Sequence, residues 1–141
     1  MPNKKIGFLI KQVFYLHEQH LNKQFSKFGL TASQTFTLIY LFKSHDKGIS
    51  VNQKDIEKEL DISNPTVTGI LNRLEVKGLI TRVPCRHDAR AKNIEVTEKA
   101  LELDKQLRIV FQQSDEKLVE SLSKEEIDNL QSYLIKIRSE E

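Results

Sequence analysis

Apolar side chains recur at three- and four-residue steps through most of this chain, a spacing that predicts a mainly α-helical protein. Residues 5–28 carry Ile6, Leu9, Ile10, Val13, Phe14, Leu21, Phe25 and Phe28, a long amphipathic helix with Gly29 at its C-cap. Thr31 and Gln34 have capping-box spacing ahead of Phe36, Leu38, Ile39, Leu41 and Phe42, so a second helix is expected over about 32–44. Asn52 suits the N-cap of a short third helix bearing Ile56 and Leu60, and Asp61-Ile62 then makes a tight turn. Ser63 is the expected cap of a fourth helix, with Pro65 in its first turn, where a missing N–H costs little. Val67, Ile70, Leu71 and Leu74 form its buried stripe, and Gly78 closes it.

The period changes after Gly78. Residues 79–83 and 93–96 read as two strands, with a charged stretch from Pro84 to Asn93 between them. From Thr97 the helical spacing returns through Leu101, Leu103, Leu107, Val110, Phe111, Leu118, Val119 and Leu122, over about 24 residues. Ser123 and Glu126 form a second capping box, and Ile127, Leu130, Leu134 and Ile137 stripe a last helix. Helix, tight turn, helix, strand, charged loop, strand is the order of a winged helix-turn-helix with a two-stranded β-wing. Residues 31–97 would form that domain, and 1–30 with 98–141 a helical dimerisation region. The outer helices are apolar over more surface than a small winged domain can cover, which calls for a partner.

Charge sharpens the picture. The 141 residues hold 22 Lys and Arg against 20 Asp and Glu, and a net of +2 points to no partner. The sum is a cancellation. Residues 1–30 carry Lys4, Lys5, Lys11, Lys23 and Lys27 against Glu18 alone, and residues 64–93 carry Arg73, Lys77, Arg82, Arg86, Arg90 and Lys92 against Glu75 and Asp88. The segment from 94 onward is acidic. A basic block beside an acidic tail is a partner signal, although charge blocks also occur on solvated faces.

Candidate chemistry lies in that basic block. Ser63, Asn64, Thr66, Thr68 and Asn72 are small polar residues facing away from the apolar stripe of the fourth helix. Short side chains of this kind reach base edges or phosphates in a DNA major groove, and free N–H groups at a helix start add phosphate affinity. Arg73, one turn on, reaches phosphate or a guanine edge. The same residues also suit a capped surface helix. Arg82, Arg86, His87, Arg90 and Lys92 crowd the hairpin, whose tip fits a minor groove. Asp88 is expected to pair with Arg90 and hold the tip in shape. The rival reading is a winged-helix protein–protein assembly module, which would need exposed apolar or aromatic anchors on this face.

The residues Asn64-Pro65-Thr66-Val67-Thr68, Leu71-Asn72-Arg73-Leu74-Glu75, Lys77-Gly78-Leu79-Ile80, Asp88-Ala89-Arg90 and Ile94-Glu95-Val96-Thr97 resemble the MarR family of bacterial winged-helix transcriptional regulators. The motif covers about residues 52–100, and the helix order covers essentially the whole chain. Val96 and Ala100 depart from the Leu and Gly usual in the family, at positions that face no DNA. The resemblance implies a homodimer in which the first and the last two helices interlock. Each subunit then offers one winged helix to half of a near-palindromic operator in double-stranded DNA, with recognition helices roughly 34 Å apart.

It also implies a regulator, commonly a repressor, released by a small aromatic ligand or an oxidant. Phe14, His17, Phe36, Tyr40 and Phe111 are the candidate ligand-pocket residues, where the first, second and fifth helices should meet; ordinary core aromatics with one exposed His are the alternative. Cys85, the single cysteine, sits beside Arg86 and His87, whose charge favours thiolate. It is a candidate redox residue or an inert strand-end thiol. His17 and His20 have ligand-compatible spacing, but the fifth helix has no His, so no metal and no cofactor are expected. With no phosphate loop, nucleophile elbow or catalytic metal motif, an enzyme is not expected either. No stretch approaches the roughly 18 apolar residues of a membrane span, and residues 1–7 do not look like a signal peptide. One unpaired cysteine fits a reducing cytoplasm.

Overall fold

A computed structural model describes residues 5–88 and 90–139. The part of the wing motif on Ala89 lies outside the described residues, as do the ends of the proposed dimerisation region.

The elements run α1 (Ile6–Ser26), α2 (Ala32–Asp46), α3 (Gln53–Leu60), α4 (Asn64–Val76), β1 (Ile80–Pro84), β2 (Lys92–Val96), α5 (Glu98–Leu118) and α6 (Lys124–Arg138). Local chemistry sets most of the starts. Thr31 with Gln34, Asn52 with Asp55, and Ser123 with Glu126 form reciprocal capping boxes, and Thr97 accepts from the Ala100 N–H. Gly78, at φ 74, takes the left-handed conformation after α4, and the Leu79 N–H then donates to Leu74 O at 3.0 Å. Asp61 adopts φ 52 between α3 and α4, a conformation that Asp tolerates better than most residues.

Several boundaries differ from the sequence expectation. α1 stops at Ser26 because a turn follows, in which the Leu30 N–H bonds back to Phe25 O. α2 continues two residues beyond Ser44. α5 ends at Leu118, where Val119 leaves helical geometry. The wing strands shift and lengthen: Ile80 pairs with Val96 and Pro84 with Lys92, antiparallel. Lys92 therefore belongs to the ladder rather than to the tip. Val51 adds a stub beside the sheet, its carbonyl accepting from the Ile94 N–H at 2.7 Å.

The core joins the two halves of the chain. Phe25 of α1, Leu38 of α2, Ile56 of α3, Val67, Leu71 and Leu74 of α4, Ile80 of β1 and Leu107 of α5 are fully buried together. Polar ties fasten α5 to the winged domain. Lys99 Nζ donates to Lys77 O at 2.7 Å, and Thr97 Oγ1 to Gly78 O at 2.7 Å, so α5 caps the carbonyl end of α4. Lys77 Nζ in turn donates to Gly29 O and to Gln34 Oε1. Arg108 bridges Asp104 and Asp46, and the hydrogen bond and charge of Asp104 hold its guanidinium above the usual range.

Elsewhere apolar surface is left bare. Ile6, Phe8, Ile10, Val13, Phe14, Tyr15 and Leu16 on α1 are exposed, as are Tyr133, Leu134, Ile135 and Ile137 on α6, a helix with no buried residue. No helix among the described residues is long and apolar enough to cross a membrane.

Candidate nucleic-acid interface

α4 turns Val67, Ile70, Leu71 and Leu74 inward, so the residues between them must face out. Asn64, Thr66, Asn72 and Arg73 are exposed, and Thr68 is half-buried. Ser63 stands at the N-cap with extended backbone, but its side chain does not cap. Its Oγ lies 2.9 Å from Thr66 Oγ1 instead, and Pro65 has no N–H to offer. Arg73 folds back over Gly69, where a Cβ would come within 3.3 Å of Nη1.

α3 grips the start of α4. Gln53 Nε2 donates to Thr68 Oγ1 at 2.8 Å and to Asn64 O at 3.4 Å, while Thr68 Oγ1 donates to Asn64 O at 2.9 Å. Asn64 Nδ2 donates to Glu57 Oε2 at 3.0 Å. Gln53 and Glu57 support the candidate face from behind, and the sequence reading missed them. Their four-residue spacing on α3 is the signal that could have found them, since it puts both on one helix face.

The wing closes on the other side. Arg82, half-buried on β1, donates from Nη2 to Asn72 Oδ1 at 2.8 Å, and its Nε is buried without a partner in the described residues. Arg86 and His87 are exposed at the tip. Asp88 Oδ1 accepts from the Arg90 N–H at 3.0 Å and stands 3.5 Å from Arg90 Nε, the pairing expected from sequence. The tip is further pinned by the Cys85 N–H on Ala91 O at 2.8 Å. Cys85 is half-buried, with Sγ 3.3 Å from Asn93 Oδ1. Between α3, α4 and the wing lies a cleft of about 390 Å³, lined among others by Lys54, Asn64, Arg82, Arg90 and Lys92. Short polar donors and acceptors on a convex helix thus sit beside a cationic ribbon whose tip holds one acid, Asp88, paired with Arg90. The arrangement can hydrogen-bond base edges and neutralise phosphates together.

The five candidate pocket residues are not brought together within one chain. Phe36 and Phe111 both pack on Phe25, at ring-centroid distances of 6.1 and 5.7 Å, so the space expected for a ligand is filled by an aromatic that the sequence reading did not single out. Phe14 is 60% exposed on the bare half of α1. Tyr40 packs toward α3, where burial and then Asp55 and Glu59 push its hydroxyl pKa up against a hydrogen bond from Ser44. His17 is half-buried rather than the exposed His of the alternative reading. It lies within 4.0 Å of Asp115 and lines a cleft of about 300 Å³ with His20 and Ser114, between α1 and α5. Partial burial, then Lys117 and His17, lower the His20 pKa. No group of three or more metal-capable residues occurs among the described residues.

Fold and site together define a winged helix-turn-helix protein with a polar outward helix and a cationic wing. The MarR family model matches residues 28–91. S. aureus MepR in complex with DNA is similar at 31% identity and a TM-score of 0.76, covering 97% of this chain and 98% of that one. A glycine-to-lysine mutant of S. aureus MepR is similar at 30% identity and TM-score 0.85, covering 96% and 98%. A cysteine-to-serine mutant of E. coli MarR matches at 23% identity and TM-score 0.85, over 97% and 98%. The chain belongs to the MarR family, and its fold is that of the family's transcription regulators.

Proposed function

We propose that the protein is a DNA-binding repressor that grips a near-palindromic operator as a homodimer. The observation that carries this is that the outward polar helix bearing Asn64, Thr66, Thr68, Asn72 and Arg73 is tied by the Arg82–Asn72 hydrogen bond to the wing bearing Arg86, His87, Arg90 and Lys92. Ser63 shapes the start of that helix and Asp88 the tip of the wing. A relative of 31% identity and near-complete coverage has been captured as a DNA complex, which supports the reading. α4 enters the major groove, and the wing tip reaches the adjacent minor groove.

The bare apolar faces of α1 and α6, with α5 packed on α1, form the dimer contact. Residues 31–97 are the DNA-binding domain, and 1–30 with 98–141 the dimerisation region. The assembly-module reading would need apolar anchors on α4 and the wing. Most large exposed apolar side chains lie on α1 and α6, and α4 and the wing carry only the separate Val76 and Val83 among the described residues.

A small-molecule or oxidant signal releases the dimer from DNA by favouring an arrangement in which the two winged domains no longer match the groove spacing. Cys85, at the wing base, is the redox candidate. Nuclease protection on selected genomic fragments tests the reading. Two protected half-sites about one helical turn apart support it. A footprint of a single half-site contradicts the dimer, and no footprint contradicts DNA binding.

A further inference from the structure

The Arg82–Asn72 contact joins the wing to the recognition helix, and its chemistry is one-sided. A guanidinium has donors only. The Asn72 atom facing Arg82 Nη2 at 2.8 Å must therefore be the amide oxygen, and the Nδ2 hydrogens turn away from it. A free asparagine presents either end of its amide and can pair bidentately with adenine, its oxygen accepting from N6–H and its nitrogen donating to N7. Asn72 is not free in this sense. Arg82 reaches it from β1, where Arg82 stands opposite Ile94 in the ladder, and the Arg82 Nε is enclosed. The guanidinium is thus seated between strand and helix rather than swinging in solvent, and Asn72 remains exposed on the outward face of α4.

We propose that Arg82 is a positioning residue that fixes the base preference of Asn72: by holding Oδ1 it leaves Asn72 to meet DNA as a donor, so that Asn72 selects guanine in the major groove. Guanine offers two acceptors there, N7 and O6. Adenine offers N7 beside an N6 amino donor, which would face the Asn72 donors. The inference rests on the DNA-binding reading and adds to it which base is chosen and by what.

The test is selection of bound duplexes from a random pool by the full chain, repeated with Arg82→Met, Asn72→Ala and Asn72→Asp. The parent should enrich guanine about tenfold or more over adenine at one base pair of each half-site, the discrimination typical of a good side-chain–base pair. Arg82→Met should lose that preference at the same base pair and leave the others unchanged. Asn72→Ala should lose it too, and combining the two changes should add nothing further at that position. Asn72→Asp keeps an oxygen for Arg82 and replaces the outward donors with an acceptor, so its preference should swing to cytosine, whose N4 donates. Both Asn72 changes are at an exposed position and test the donor role by themselves. If Arg82→Met fails to fold, Arg82→Gln, whose amide oxygen can instead accept from Asn72 Nδ2, should admit adenine beside guanine, and a parent-like profile for it overturns the proposal. An adenine preference in the parent, an Arg82→Met profile identical to the parent's, or an unchanged profile for Asn72→Asp overturns the proposal. A parent that enriches no duplex overturns the DNA-binding reading itself.

Discussion

Gln53 at the start of α3 and Thr68 in α4 meet at 2.8 Å, and through this contact the supporting helix sets the angle of the outward one. Gln53→Leu removes the donor while Thr68 keeps its own bond to Asn64 O. The expected loss of stability is therefore modest, about 0.5–1.5 kcal/mol, read from the urea midpoint. Duplex affinity should fall further than stability does, because the start of α4 loses two of its anchors. Unchanged duplex affinity would show that α3 does not position α4.

Arg90 separates binding from folding. Its side chain is 95% exposed, and its ion pair with Asp88 is open to solvent, so Arg90→Ala should change stability by less than about 0.5 kcal/mol. Duplex binding should weaken about equally across sequences, with a salt slope shallower by about one per wing. Parent-like affinity for duplex would show that the wing does not touch DNA.

Phe25 fills the space where the sequence suggested a pocket. It is fully buried between Phe36 and Phe111, and Phe25→Ala should cost about 3–5 kcal/mol. The resulting apolar cavity should accept a benzene-sized molecule. Thermal melting checks both points: benzene should raise the melting temperature of the variant and leave that of the parent unchanged.

α6 carries Tyr133, Leu134 and Ile137 and buries none of them. Ile137→Glu should leave the winged domain folded and convert a two-chain sedimenting mass to one chain. Operator affinity should fall with it if, as proposed, each winged domain contacts one half-site. A parent that already sediments as one chain contradicts the dimer.

What the sequence made legible follows the range of each interaction. Capping boxes at Thr31 and Ser123 are local, and they form where the spacing puts them; Asn52 caps α3 as its position suggests, with Asp55 completing a box that the spacing reading did not include. The inward stripe of α4 is legible from its period alone, and the Asp88–Arg90 pair from its two-residue separation. Ser63 misled because a cap-competent hydroxyl found Thr66 rather than a backbone N–H. Gln53–Thr68 and Arg82–Asn72 join different elements, and only the tertiary approach of α3 and β1 to α4 makes them partners. The placement of the candidate aromatics differs for a related reason. Periodicity places Phe36 and Phe111 toward α1, but it does not say that Phe25 already occupies the gap.

The central claim is that the face of α4 and the wing neutralises DNA phosphates. Its most direct test is the affinity of the full chain for a selected duplex across a fourfold range of salt. With roughly six to ten phosphate contacts per dimer, affinity should fall on the order of a thousandfold or more, linearly in the logarithms. An affinity that stays flat across that range would contradict the account.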